Sequence, residues 1–269
     1  MAIGISTSCF YPMQTEKALK ELVDLNVDVC EVFFNARSEI EDDFLDELKS
    51  IKAEASFKIS SVHPFFSFAE PYLIFSEYER RFEDTLLFYD RYFEAAKKLG
   101  AEILVIHGPK RHGNMPDEFF YEKFAILAQR GKRAGIKVAQ ENVVHYMSAS
   151  PDYLLGLRRY MGDDFHMVLD LKQSVRSGVS AFEFVEKLGK SVIHVHISDY
   201  DDKQDCMLPG KGVFDFPAFF DAMINLGYKG DYIIELYRQN FKHREELNDS
   251  LQTIKDIYET VKSISDCIE

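Results

Sequence analysis

Eight short runs rich in Val, Ile and Phe punctuate the chain, at approximately Ile3–Cys9, Val27–Phe34, Lys58–His63, Ile103–His107, Lys137–Asn142, His166–Leu171, Val192–Ser198 and Tyr232–Leu236. Their shortness and β-branched content predict strands. Between them lie stretches such as EIEDDFLDELKSIKAEA, SEYERRFEDTLLFYDRYFEAAKKLG, DEFFYEKFAILAQRGKRAG and FPAFFDAMINLG, where apolar residues recur at helical spacing with charges between. Gly100, Gly135, Gly189 and Gly227 stand just before the next strand, where a helix is expected to end on glycine. A last helix is expected over roughly Glu245–Ile264.

Strict strand–helix alternation makes the strands parallel, because each helix carries the chain back to the same end of the sheet. Eight such units in 269 residues fit a (β/α)8 barrel, a fold of typically about 250 residues. The competing doubly wound sheet would usually place a glycine-rich loop after its first strand, and here that loop reads CFYPMQ. The expected fold is therefore α/β, one (β/α)8 barrel domain over residues 1–269.

Strand ends matter in such a barrel, because its chemistry sits at their C-terminal mouth. Four successive runs, KVAQENV, FHMVLDL, VIHVHIS and DYIIELY, end on Glu141, Asp170, His196 and Glu235. Parity places His194 and His196 on one face of their strand, and Glu235 on the same side of its strand as Ile233, so these polar groups can point inward while aliphatics meet the helices. Three carboxylates and one imidazole suit a divalent cation such as Mn2+, Co2+, Mg2+ or Zn2+. Glu31, His63 and His107 add to the set, so seven of the eight runs offer an acid or a histidine near that end. Crowded, desolvated acids repel one another, and a cation is the simplest compensation. His166 begins its strand and belongs at the opposite end. His194 is expected one layer below the centre, and His112, His145 and His243 at the surface.

Composition narrows the partners. A net charge of -13 with no dense basic patch disfavours nucleic acid. No apolar run approaches the roughly 20 residues that span a bilayer. Cys9, Cys30, Cys206 and Cys267 are scattered without a CxxC pair, and the start, IGISTSCF, reads as a strand rather than a secretion signal. A cytoplasmic protein with reduced thiols is expected.

The settings QEN, VLD, HVHISD and IIEL, with the segment LPGKGVFDFPAFFDAMINLGYKGDYIIEL, resemble the xylose-isomerase-like sugar isomerase/epimerase superfamily over nearly the whole chain. The resemblance implies one divalent metal ion held by Glu141, Asp170, His196 and Glu235. Ketose 3-epimerases of the tagatose and psicose type are the nearest mechanistic relatives it implies, and hydroxypyruvate-isomerase-like and inositol-pathway enzymes are similar. Two departures concern the substrate. Many relatives carry a histidine three residues after the aspartate, where this chain has Gln173. The ketose epimerases also carry an arginine past the ligand histidine, where this chain reads Asp199-Tyr200-Asp201-Asp202-Lys203.

The expected activity is a metal-dependent isomerase or epimerase of a ketose or related polyol, working through an enediolate. Glu141 and Glu235 serve as ligands and as acid and base; Asp170 and His196 serve as ligands only. His63 and His107 are expected to bind substrate hydroxyls, with Lys172, Gln173 and Glu31 as weaker candidates. Phe65, Phe66, Phe68 and Tyr72 could roof the pocket or form an interface. A dehydratase or lyase of a polyol or keto-acid would use the same enediolate. A phosphodiesterase resembling the apurinic-site endonucleases fits less well, since Gln173 replaces a histidine and no Asp-x-His precedes the Pro-Gly-Lys-Gly segment. The expected partners are a small sugar or polyol and, since such barrels commonly pair, a second copy of the chain.

Overall fold

The computed structural model describes residues 1–55 and 57–267. Eight parallel strands close into a barrel in chain order, with β8 returning to β1. They are β1 Ile3–Ser6, β2 Val29–Phe33, β3 Lys58–His63, β4 Ile103–Ile106, β5 Lys137–Glu141, β6 His166–Asp170, β7 Val192–Ile197 and β8 Asp231–Ile234. Several are shorter than the apolar runs that predict them. β1 stops at Ser6 and turns into a 3-10 helix over Thr7–Phe10, where Ser6 caps the turn by accepting from Ser8 N–H. Glu235 and His107 each lie one residue past a strand end.

The helices are α1 Thr15–Asp24, α2 Asp42–Glu54, α3 Glu70–Leu73, α4 Glu79–Leu99, α5 Asp117–Ala134, α6 Pro151–Met161, α7 Leu171–Ser177, α8 Ala181–Leu188, α9 Phe216–Asn225 and α10 Arg244–Asp266. Each long helix buries one stripe. In α4 that stripe is Phe82, Leu86, Tyr89, Phe93 and Ala96, three or four residues apart, with charges opposite. Gly100, Gly135 and Gly227 end or follow helices at φ of 78°, 85° and 72°. Gly189 departs from the expectation: its φ is -48° and the chain runs on into a 3-10 turn. A Cβ there would stand 2.5 Å from Leu226 Cδ1, the end of an exposed side chain that can turn aside.

The main apolar core fills the layer between barrel and helices. A second, small cluster of Ile103, Val105, Ala139 and Val168 occupies the barrel axis. Val105, Ala139 and Val168 lie two positions before His107, Glu141 and Asp170, so on the strands' shared parity the interior is apolar below and polar at the mouth. The two short helices, α3 and α7, sit in the loops after β3 and β6 and bring further side chains to that mouth.

Candidate active site

Parallel strands put all their C-terminal ends on one side, and four of those ends supply the centre. One ligand atom from each of Glu141, Asp170, His196 and Glu235 lies within 4.8 Å of the others. Asp170 ends β6 and at once caps α7, its Oδ1 accepting from Gln173 N–H at 2.8 Å. Its other oxygen, Oδ2, is buried and accepts no hydrogen bond. That oxygen, with the Lys172 ammonium at 3.3 Å as its ion-pair partner and two more carboxylates and an imidazole around it, fits a hard or borderline divalent cation.

His196 faces that centre with Nδ1, at 3.4 Å from Glu141 Oε1, 3.5 Å from Glu235 Oε2 and 3.8 Å from Asp170 Oδ2. Its Nε2–H donates to Glu31 Oε2 at 3.1 Å, which fixes the ring and aims Nδ1 inward. Burial works against the imidazolium, but Glu31 and Glu235 outweigh it and hold the His196 pKa well above the usual value. Burial likewise opposes the Glu31 carboxylate, and His196 and His194 outweigh it. Glu31 is fully buried, with Ser61 donating to Oε2 at 2.8 Å and Ser6 to Oε1 at 3.3 Å. That placement differs from a substrate contact: Glu31 lies beneath His196, a layer below the mouth. His194 is buried beside it, its Nε2 3.0 Å from Ser61 Oγ.

Glu141 is shared between two groups. Its Oε2 lies 3.3 Å from His107 Nε2 and 3.7 Å from His63 Nε2, while Oε1 faces His196. His63, His107 and Glu141 thereby form a second cluster with metal-ligand geometry, and Glu31, His194 and His196 a third. Burial opposes the Glu141 charge, yet hydrogen bonds from the three histidines hold its pKa well below the ordinary range. His63 donates Nδ1–H to Pro64 O at 3.1 Å and stacks on Phe33 at 4.6 Å, which leaves Nε2 toward the centre. His107 keeps 21% of its side chain exposed and so borders the mouth.

Glu235 is placed from behind. Cys9 Sγ donates to Ile234 O at 3.5 Å and accepts from Leu236 N–H at 3.3 Å, gripping the backbone on either side. Burial pushes the Cys9 thiol up to about 12, so it stays protonated and can donate. Lys172 reaches Glu235 Oε2 at 2.9 Å and Asp170 Oδ2 at 3.3 Å. Against burial, Lys172 and His196 hold the Glu235 carboxyl below its ordinary value. Burial raises Asp170 to about 6, with Lys172 opposing. Gln173 turns its side chain to the neighbouring loop, where its Oε1 accepts from Val144 N–H at 3.2 Å.

Three buried residues that brace the strand ends and loops of this mouth lie outside the expected site set. Glu70 opens α3, and its Oε2 accepts from the backbone N–H groups of His107 and Gly108 at 2.7 and 3.0 Å. Asn142 follows Glu141 in the QEN triplet; it donates to Asp170 O and accepts from Asp170 N–H. Asp199 accepts from four backbone N–H groups, those of Tyr200, Gly210, Gly212 and Phe214. The acidic stretch it opens is therefore committed to loop structure: Asp201 accepts from Lys203 and Gln204, and Asp205 pairs with Arg176.

Of the aromatic run after β3, Phe66 is buried against Phe88, Tyr89 and Tyr92, whereas Phe68 and Tyr72 are exposed. His166 is half-buried at the start of β6; His145 and His243 are exposed. Among the described residues no helix is long and apolar enough to cross a membrane. Cys9, Cys30 and Cys206 are buried free thiols, and Cys267 is an exposed one.

A closed eight-stranded parallel barrel with acids and histidines at its mouth defines the class. The chain belongs to the xylose isomerase-like TIM barrel family, whose model matches residues 19–257. An uncharacterized protein of Methanocaldococcus jannaschii is 26% identical over 88% of this chain and 88% of its own. One of Mycobacterium leprae is 22% identical over 93% of this chain and 95% of its own. Among solved structures, a D-tagatose 3-epimerase-like protein superposes with a TM-score of 0.82 at 19% identity, covering 98% of this chain and 100% of the other. An L-ribulose 3-epimerase superposes at 0.81 and 17% identity, covering 100% and 98%. At such identities the likeness establishes the fold.

Proposed function

We propose that this chain is a divalent-metal-dependent isomerase or epimerase of a small ketose or related polyol. The observation that carries the reading is the convergence of Glu141 and Glu235 on one centre with Asp170 and His196. The sugar epimerases among the structural neighbours support the substrate class.

Isomerising a sugar beside its carbonyl means removing a carbon-bound proton and returning it to the other face or to the next carbon. Glu141 and Glu235 come from strands five and eight and flank the centre from different sides. Both are held ionised by their cationic neighbours, which is the form that accepts a proton. One carboxylate takes the carbon-bound proton, the other first picks up a proton from solvent and delivers that one to the opposite face, and the pair then re-equilibrates with solvent. Asp170 and His196 complete the ligand set. When bound, the metal supplies Lewis-acid stabilisation of the negative charge of the enediolate. His63 and His107, on the far side of Glu141, hold substrate hydroxyls and keep the proton-transfer carboxylate aligned. Glu31 engages the His196 Nε2–H, so Nδ1 is the nitrogen that would be offered to a cation once its proton is displaced.

The test is a panel of ketoses and aldoses in D2O with Mn2+, Co2+ or Mg2+, followed by NMR. The expected result is deuterium at the carbon beside the carbonyl and a product that keeps every hydroxyl. Glu141→Gln and Glu235→Gln are each expected to lower kcat by about 10²–10⁴-fold, the usual contribution of a positioned acid or base. Near-normal turnover by either variant, or a product that has lost water, defeats the proposal.

A further inference from the structure

Lys172 is the second residue of α7, and only 5% of its side chain is exposed. Its ammonium contacts Glu235 Oε2 and Asp170 Oδ2. These are the oxygens that face His196 Nδ1. Asp170 has no substitute to offer, because Oδ1 is engaged in capping α7. A divalent cation held by oxygen at about 2.0–2.2 Å would claim the same two atoms. Two cations sharing them in a dry pocket would repel strongly.

We propose that Lys172 is a built-in counter-ion for Asp170 and Glu235, and that the metal loads by exchange with its ammonium. The inference rests on the metal centre proposed above and adds what occupies its oxygens beforehand. In the metal-free protein Lys172, together with His196 on the same oxygens, offsets two buried carboxylates that would otherwise push each other apart. It thereby keeps the cage assembled and sets the affinity that an incoming cation must exceed. The way out is short. The half-exposed Tyr237 ring lies 5.1 Å from the ammonium and offers an aromatic face toward the mouth. Tyr237 is held there by its neighbour one turn along α7, since Arg176 donates to Tyr237 Oη at 2.7 Å while pairing with Asp205.

The experiment uses the full chain, stripped with a chelator and titrated with Mn2+ by calorimetry and by electron paramagnetic resonance of the free ion. Lys172→Met keeps the apolar stem and removes the charge. It is expected to bind Mn2+ at least tenfold more tightly than wild type. Its metal-free form is expected to melt below metal-free wild type, with the gap closing at saturating Mn2+. Lys172→Arg keeps the charge and is expected to show no gain. Unchanged or weaker Mn2+ binding by Lys172→Met, or an equal gain in Lys172→Arg, overturns the exchange. Should Lys172→Met fold only with metal present, release of Mn2+ to EDTA is measured instead; slower release than wild type supports the exchange, and equal or faster release overturns it. Wild type that binds Mn2+ with no gain in the variant removes the exchange alone. No binding in either removes the metal centre with it.

Discussion

Glu70 shows how much a single buried side chain governs at this mouth. One of its oxygens takes two backbone N–H groups just past β4, and the other accepts from Tyr89 Oη at 3.2 Å. The loop that carries His107 is therefore fastened to a carboxylate from another loop. Glu70→Ala orphans two amides and is expected to cost about 2–6 kcal/mol, from about 1–3 kcal/mol for each unsatisfied buried group. Chemical denaturation measures this, and a loss below about 1 kcal/mol would show that the amides find other partners. The pH dependence has a definite sign. Burial raises the Glu70 carboxyl above its ordinary 4.5. The native state then holds a proton that the unfolded chain releases, so this group's contribution declines as pH rises above 4.5 toward the folded value. Glu70→Gln removes that titration and should gain on wild type between pH 4.5 and neutrality. At this scale the sequence was legible only in part. Glu141, Asp170, His196 and Glu235 were visible because a strand end fixes where a side chain goes. Glu70 and Asn142 were hidden because most of their partners are main-chain groups, which leave no trace in residue type. Glu31 was visible, but strand position alone does not tell the mouth from the layer below it.

At the scale of elements, the connection from β7 to α9 is the most tightly specified. Asp199 gathers four amides of a loop that contains Pro209-Gly210-Lys211-Gly212. The two glycines answer different needs. Gly210 has φ of +82°, a left-handed conformation. At Gly212 a Cβ would stand 2.2 Å from Tyr200 O and 2.4 Å from Asp199 Oδ1. Asp199→Ala should free this loop, with hydrogen exchange across residues 208–214 accelerating while the strands keep their protection. Unchanged exchange would mean that packing alone holds it. The sequence marked this segment through its resemblance, without showing that an acid several residues upstream is its anchor. Helix ends were read well where glycine turns left-handed, at Gly100, Gly135 and Gly227. They were misread at Gly189, where the backbone stays right-handed and runs on into a 3-10 turn; spacing alone does not tell a left-handed glycine from such a one.

At the scale of the molecule, the alternation of strands and helices was enough to give the barrel, because parallel strands of one chain leave few alternatives. The strand limits were less legible, since apolar residues continue into the turns that cover the core, as Cys9 and Leu236 do. The barrel as a whole should respond to the proposed metal. A cation that binds only the folded chain, at a hundredfold excess over its Kd, adds about 2.7 kcal/mol. For a domain of this size that is a rise in Tm of about 5–10 °C, at roughly 2–4 °C per kcal/mol. Calorimetry with and without EDTA in Mn2+ buffer measures it, and a Tm indifferent to the chelator would count against a metal centre on Glu141, Asp170, His196 and Glu235.

Closure of β8 onto β1 also has a consequence for how the protein comes into being. Glu31 leaves the ribosome early, beneath a histidine not yet made, and Glu235 emerges among the last. A nascent chain that has finished seven strands has His196 and Lys172 in place while the carboxylate they face is still inside the exit tunnel. The four-residue centre of Glu141, Asp170, His196 and Glu235 is thus assembled only once translation has delivered almost the entire message.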